Sequence, residues 1–365
     1  MPVPLFDTKT PLAPLRGEID ACIAAVLDRG AFILGSEVAS FEAEFAAYVG
    51  VRHAIGVANG TDALTLALKA LGVGPGDEVV VPSFTFYASA EAIPPTGARP
   101  VFCDVDPDTF CVTADTVRAT LTPRTKAVIA VHLFGNVAPI AEIAALGVPV
   151  VEDAAQAAGS RSTAGRPGAL GAIATFSFFP SKNLGAFGDG GAVTTDDDHL
   201  ADLVSMLRFH GSRDKSTFEL VGHNSRLDEL QAAILRVQLP HLDGWADGRR
   251  AAAADYAAAG LGELVTLPLA AEGSEPAWHL YVIRHEHADA LAAALGDAGI
   301  GHKAYYRVPA HRQPAMREWA AGVELPATDE VAGTHLAIPM GPALTRELVD
   351  EVVAAVNAAV PQGVS

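Results

Sequence analysis

Lys182 sits where a lysine is costly. It follows the apolar run "AIATFSFF" and precedes four glycines within "GAFGDGG" (185–191). An amine at the end of a buried strand loses hydration unless something uses or pairs it. The glycines allow a tight turn or a close approach. Of the chain's lysines (Lys9, Lys69, Lys126, Lys182, Lys215 and Lys303), only this one stands between a buried strand and a glycine-rich turn. A solvated surface lysine is the general default. The phenylalanines before it and the glycines after it weaken that default here.

Two further stretches carry complementary groups. "VVEDAAQAAG" (150–159) places Asp153 at the carboxyl end of a strand, with Gln156 three residues on. Ligands of open α/β sheets sit at that edge, and a carboxylate buried there needs a cationic or donor partner. The competing reading makes Asp153 the cap of a following helix. "ANGTDAL" (58–64) runs strand, glycine, helix; Gly60 opens the backbone to a ligand, and Thr61 offers a hydroxyl at a helix start. Free N–H groups and the helix dipole there favour a phosphate, although Asn59 or Thr61 could equally be an ordinary cap. By contrast, "GVGPGD" (72–77) closes a helix and leads into a strand, the reverse of a phosphate loop, and reads as a turn.

An amine, a carboxylate and a phosphate cradle are together the needs of pyridoxal phosphate: a lysine for its aldehyde, an acid for its ring nitrogen, donors for its phosphate. The joint match is far more specific than any one piece.

The elements that must position these groups follow from hydrophobic patterning. Strands are expected at "AIGVA" (54–58), "EVVVP" (78–82), "PVFCDV" (100–105), "AVIAVHLF" (127–134), "PVVED" (149–153), "ATFSFF" (174–179) and "GAVTT" (191–195). Several are continuous apolar runs, the mark of a sheet covered by helices on both faces. "TDALTLALKALG" places Leu64, Ala67, Leu68 and Leu71 at helical spacing before Gly72, completing a β-α-β unit. The pattern predicts an α/β domain with a mostly parallel sheet over 1–244 and a smaller α+β domain over 245–365. The latter holds an alanine-rich helix, "WHLYVIR", a helix near "HADALAAALGDAGI", "HLAIPM" and a final amphipathic helix.

A formal net charge of −18 with no lysine/arginine run excludes a nucleic-acid partner. Three cysteines (Cys22, Cys103 and Cys111), none in a C-x-x-C pair, exclude a disulfide framework or a zinc site. No signal-peptide pattern or membrane-length apolar run is present, so a cytoplasmic protein is expected.

The sequence resembles the DegT/StrS-type sugar-nucleotide aminotransferases, within the fold-type I pyridoxal-phosphate enzymes. The likeness spans nearly the whole chain: "GAFILGSEVASFEAEFAAYVG", "NGTDALTLAL", "GDEVVVPSFTF", "GARPVFCDVDPDT", "VHLFGN", "VEDAAQAAGS", "SFFPSKNLGAFGDGG", "GHNSRLDELQAAIL" and "LAIPMGPALT". The resemblance implies Lys182 as the Schiff-base lysine and Asp153 as partner of the pyridinium nitrogen. It puts Gln156 near the phenolic oxygen, and Gly60, Thr61 and Ser177 on the phosphate. Phe86 would stack on the ring, with plain core packing as its alternative. Asn224 would reach the phosphate from the neighbouring subunit of a homodimer with shared active sites.

The implied reaction moves nitrogen from an amino donor, usually glutamate, to a keto-sugar nucleotide. Lys182 carries the proton and must be neutral when released. "NSRLDELQAAIL" leans towards members acting at carbon 3 of deoxyhexose nucleotides. Carbon 4, a keto-cyclitol acceptor or a non-catalytic sensor are the alternatives, and retention of Lys182 argues against the last. Arg213 and Lys215 are candidates for the diphosphate, with a solvated loop as the equal alternative. Tyr306 and His311 are candidates for the sugar pocket. They lie in a segment that usually reads His-Tyr-Pro, but this chain has Tyr305, Tyr306 and then Arg307 in place of the proline.

Overall fold

The computed structural model describes residues 3–360. In chain order the strands are β1 (His53–Val57), β2 (Glu78–Pro82), β3 (Arg99–Cys103), β4 (Thr125–Val131), β5 (Val150–Asp153) and β6 (Arg161–Ser162). They continue with β7 (Ile173–Ser177), β8 (Gly191–Thr195), β9 (Ser274–Glu275), β10 (Tyr281–Arg284) and β11 (His335–Ile338). Seven of them form one sheet in the order β1-β8-β7-β5-β4-β2-β3. Only β8 opposes its neighbours, because it pairs antiparallel with both β1 and β7 while the remaining pairs are parallel. The carboxyl ends of β1, β2, β4, β5 and β7 therefore share one edge. Each expected strand of the sheet is found there, with ends shifted by a few residues.

Leucines at helical spacing explain α3 (Gly60–Ala70): Leu64, Leu66, Ala67 and Leu68 are all buried. They join the valines of β2 and β4 in one core. The opposite face of the sheet is covered by α2 (Ser36–Val49), whose Phe41 and Phe45 pack edge-on against Phe178 at 5.4 Å. The N-terminus of α2 is closed from a distance by Glu229. That fully buried carboxylate accepts from the N–H groups of Gly35 (2.8 Å), Glu37 (3.0 Å) and Val38 (2.8 Å). Orphan donors and the helix dipole together hold the charge.

The C-terminal region builds its own core from the helices Leu242–Ala258, Ala288–Asp297 and Arg346–Ala359 around β10 and β11. The first of these helices runs unbroken through positions 244 and 245. Towards the N-terminus, Ile19 of α1 (Arg16–Arg29) and Leu15 just before it pack against Ile234. Among the described residues the three cysteines are unpaired, and no helix is long and apolar enough to cross a membrane.

Candidate active site

The shared strand edge brings the chemistry together. Asp153 ends β5 and pairs in register with Val131 of β4 and Thr175 of β7. Its buried carboxylate accepts from the Ser89 hydroxyl at 2.7 Å and from the Ala155 N–H at 3.2 Å. The helix that a capping role would require is absent. Residues 154–160 form successive turns, with Ala157 N–H to Ala154 O at 2.9 Å and Ser160 N–H to Ala157 O at 2.9 Å. Gln156 consequently reaches the site from a turn and not from a first helical turn.

Lys182 follows β7 in a turn closed by its own N–H on Phe179 O (2.8 Å) and by Ala186 N–H on Phe178 O (2.7 Å). A Cβ on Gly185 would stand 2.6 Å from Pro180 O, so only glycine lets the chain fold back beneath the lysine. Burial lowers the Lys182 pKa to about 8, against the opposing pull of the Asp153 charge. The side chain as a whole is half-buried.

At the N-terminus of α3 the two readings divide between neighbours. Asn59 is the cap, accepting from the Asp62 N–H at 2.8 Å. Among the described residues no partner hydrogen-bonds the Thr61 hydroxyl, and Thr61 borders a cavity at the shared strand edge. Gly60 is required for a different reason from ligand approach: a Cβ there would meet the Ser177 Cβ at 2.8 Å. The glycine lets the helix start sit against the end of β7.

Gly60, Thr61, Asp153, Gln156, Ser177 and Lys182 line one cavity of about 680 Å³, together with Phe86 and Tyr306. Phe86 is 52% exposed, an aromatic face open to the cavity rather than packed in the core. Gln156 is held at both ends: Oε1 accepts from the Phe134 N–H at 2.7 Å, and Nε2 donates to the Tyr306 hydroxyl at 3.0 Å. Burial pushes the Tyr306 phenol well above its ordinary value, so it stays protonated.

Over residues 14–357 the sequence matches the model of the DegT/DnrJ/EryC1/StrS aminotransferase family. This chain belongs to that family. It is 47% identical to dTDP-3-amino-3,4,6-trideoxy-alpha-D-glucose transaminase of Streptomyces venezuelae, over 97% of this chain and 95% of the relative. Identity to UDP-N-acetyl-3-dehydro-alpha-D-glucosamine 3-aminotransferase of Acidithiobacillus ferrooxidans is 46%, over 94% of each chain. Among solved structures, S. venezuelae DesV in complex with a ketimine intermediate superposes with a TM-score of 0.96 at 45% identity, covering 100% of both chains. NtdA of Bacillus subtilis, solved with bound PMP, matches with a TM-score of 0.87 at 30% identity, over 95% of this chain and 82% of NtdA.

The family is pyridoxal-phosphate-dependent, and this cavity fits such a group. It offers an amine with a lowered pKa, a buried carboxylate with lone pairs to spare, a helix N-terminus with a free hydroxyl, and an unpacked aromatic face.

Four residues expected at the site lie outside this cavity of the single chain. Asn224 lines a separate surface hollow that shares only Asp189 with the main cavity. Arg213 is exposed and bidentate to Asp202 at 2.6 and 2.7 Å, with Glu219 at 3.5 Å. Lys215 lies over the Phe209 ring at 4.8 Å. His311 is buried behind the site, with Nδ1 at 2.6 Å from the Ser83 hydroxyl, because its short helical turn packs on the end of β2. The unusual Arg307 also points away. Its guanidinium donates to Ala332 O at 3.1 Å and Gly333 O at 2.9 Å, closing the C-terminus of the helix Pro326–Thr334, and pairs with Asp289.

Three groups at the site were not singled out from sequence: Ser89, which holds Asp153; Phe134, whose backbone aims Gln156; and His279, whose buried ring lines the cavity. His279 had a signal, a lone histidine opening the apolar strand "HLYVIR". Burial, with Lys182 and Arg249 nearby, holds its pKa well below the ordinary value, so the imidazole is neutral.

Proposed function

We propose that this chain transfers the amino group of L-glutamate to the keto carbon of a deoxysugar nucleotide, with the 3-ketone of a dTDP-linked 6-deoxyhexose as acceptor. The reading is carried by one observation: the Lys182 amine and the Asp153 carboxylate open on one cavity beside the N-terminus of α3. The names of the relatives, which speak of 3-amino sugars, point to the carbon.

In this reading Lys182 holds pyridoxal phosphate covalently, and Asp153 keeps a proton on the ring nitrogen. Gly60, Thr61 and Ser177 take the phosphate, Phe86 covers the ring, and Gln156 meets the phenolic oxygen. When bound, the cofactor supplies an electron sink that makes the substrate's C–H bond acidic. Lys182, once displaced, accepts that proton at Nζ. A pKa near 8 leaves a useful neutral fraction at physiological pH and a conjugate acid strong enough to give the proton back.

A diphosphate needs cations, yet Lys182 is the only lysine or arginine lining the cavity among the described residues. This supports a homodimer in which Asn224 of one subunit completes the phosphate site of the other, with Arg213 and Lys215 brought to the nucleotide. The exposed Phe218 and Val221 on the same loop are consistent with a covered face.

The test is direct. Cofactor-loaded protein should absorb at about 400 nm and lose that band on adding glutamate. A panel of 3-keto and 4-keto deoxyhexose nucleotides and keto-cyclitols, analysed by mass, should give an amine from the 3-keto sugars. Turnover of only the cyclitols or the 4-keto sugars would contradict the acceptor.

A further inference from the structure

One side chain of the reaction cavity has hydrogen-bonding capacity that the protein leaves unused. His279 is 4% exposed and lines the cavity together with Lys182. Its Nδ1 is buried without a partner. The ring therefore meets the cavity through the edge that carries Nε2. A neutral imidazole has one N–H and one bare nitrogen. Buried N–H groups without an acceptor are rarer than buried acceptors without a donor, so the bare nitrogen is Nδ1 and the hydrogen is on Nε2. His279 presents the cavity with a neutral N–H donor.

That donor stands on a rigid mount. The segment around it is tied to the turn Leu133–Gly135, with Ala277 N–H on Gly135 O at 3.2 Å and Leu280 N–H on Phe134 O at 3.4 Å. A Cβ on Gly135 would stand 2.8 Å from Trp278 N and 2.9 Å from His279 N, so the two segments touch backbone to backbone. The buried Arg249 guanidinium, on the helix Leu242–Ala258, donates to Trp278 O at 3.1 Å and His279 O at 3.5 Å. Phe6 stacks on the imidazole, with 6.1 Å between ring centres and 23° between planes. Trp278 (φ +41°) and Phe134 (φ +58°) both hold left-handed backbone, which bulky residues keep only where their surroundings impose it. The turn that aims Gln156 also fixes His279.

Elimination and charge select the ligand. In the reading above each polar group of the cofactor has its partner: Lys182 for the aldehyde, Asp153 for the ring nitrogen, Gln156 for the phenolic oxygen, and Gly60, Thr61 and Ser177 for the phosphate. His279 is left for a substrate. A carboxylate would draw a proton onto the imidazole, and burial with the Lys182 and Arg249 charges opposes that. An uncharged sugar oxygen, hydroxyl or ketone, asks only for a neutral donor. We infer that His279 is a specificity-determining residue that donates from Nε2 to an uncharged oxygen of the acceptor sugar. The bond moves no proton, since an imidazole that gave one up would become an anion. The inference rests on the transaminase reading above and adds a residue that tells the acceptor from the amino donor.

The two half-reactions of the cofactor-loaded protein separate the substrates. Bleaching of the wild-type chromophore by glutamate, and its return on adding a dTDP-linked 3-keto-6-deoxyhexose, check the transaminase reading independently. With that in hand, the readout is the half-saturating keto-sugar concentration divided by that of glutamate. His279→Leu is expected to raise this ratio about three- to tenfold, the worth of one hydrogen bond to an uncharged oxygen. Competition by free dTDP, which lacks the sugar, should weaken less than about twofold, because it never made that bond. His279→Gln, which restores an N–H donor, should recover most of the loss. A ratio unchanged in His279→Leu, or one that falls because glutamate suffers more, overturns the assignment. A crystal structure of the wild-type holoenzyme with a dTDP-linked 3-amino-6-deoxyhexose removes any dependence on the variants folding. A sugar oxygen within hydrogen-bond reach of His279 Nε2 supports the inference, and a sugar bound out of its reach overturns it.

Discussion

The Gln156 amide bridges residues far apart in the chain, donating to the Tyr306 hydroxyl at 3.0 Å while accepting from the Phe134 N–H at 2.7 Å. The main-chain N–H can only donate, so it fixes which end of the amide is oxygen and turns Nε2 towards Tyr306. The phenol therefore accepts from Gln156 and keeps its own hydrogen for whatever occupies the cavity. Gln156→Leu would leave the Phe134 N–H buried and unpaired, at a cost of about 1–3 kcal/mol in urea unfolding. Tyr306→Phe should cost less than about 1 kcal/mol in the same assay, because Gln156 Nε2 borders the cavity and water can replace the phenol.

Lys182 should titrate far below the other lysines. In cofactor-free protein, its acylation by an amine-selective reagent is expected to quicken about tenfold per pH unit and level off near pH 8. Surface lysines should keep quickening to about pH 10. Mass spectrometry of the labelled peptides separates them, and a Lys182 curve that follows the surface lysines would refute the shift.

The same shift has a consequence for stability. The folded-state pKa of Lys182 lies below its ordinary value of 10.5, so protonation opposes folding. The penalty is absent above pH 10.5, grows as pH falls, and is complete below about 8. Lys182→Met should accordingly raise the stability of cofactor-free protein at pH 7, on the order of 1 kcal/mol or more, and the gain should vanish at high pH. Denaturant titrations at pH 7 and pH 10.5 check the sign.

Glu229→Ala removes the acceptor for three N–H groups at the start of α2. A loss of roughly 2–4 kcal/mol is expected by thermal or urea unfolding. Glu229→Gln, which keeps one acceptor oxygen, should cost clearly less.

Gly60→Ala would push α3 away from Ser177, since the new methyl has no room at 2.8 Å from the Ser177 Cβ. Overpacking of this kind costs about 1–3 kcal/mol. The larger effect should be on cofactor affinity, read by equilibrium dialysis, because Gly60 and Ser177, the two halves of the proposed phosphate site, move apart.

What the sequence made legible was whatever depends on local pattern. Apolar runs located the sheet strands, and the placement of Asp153 and Lys182 just after such runs put both on the sheet's working edge. Contacts set by distant segments were not legible. Nothing near Ser89 signals that it holds Asp153, and "AAQAAG" reads as helix until the turns and Gly159, at a φ of +91°, break it. His311 is drawn off the cavity by Ser83, a residue 228 positions away. Arg249 did leave a trace: it falls on the buried stripe of its helix with Leu242, Ala246, Ala252 and Tyr256, a charge where an apolar residue belongs. In an alanine-rich helix that trace is easily overlooked.

The central claim is that Lys182 carries the cofactor. Reducing the pyridoxal-phosphate-loaded protein with borohydride, digesting it and sequencing the peptides by mass spectrometry tests this most directly. The account predicts a single phosphopyridoxyl adduct on Lys182; an adduct on any other lysine, with Lys182 unmodified, would contradict it.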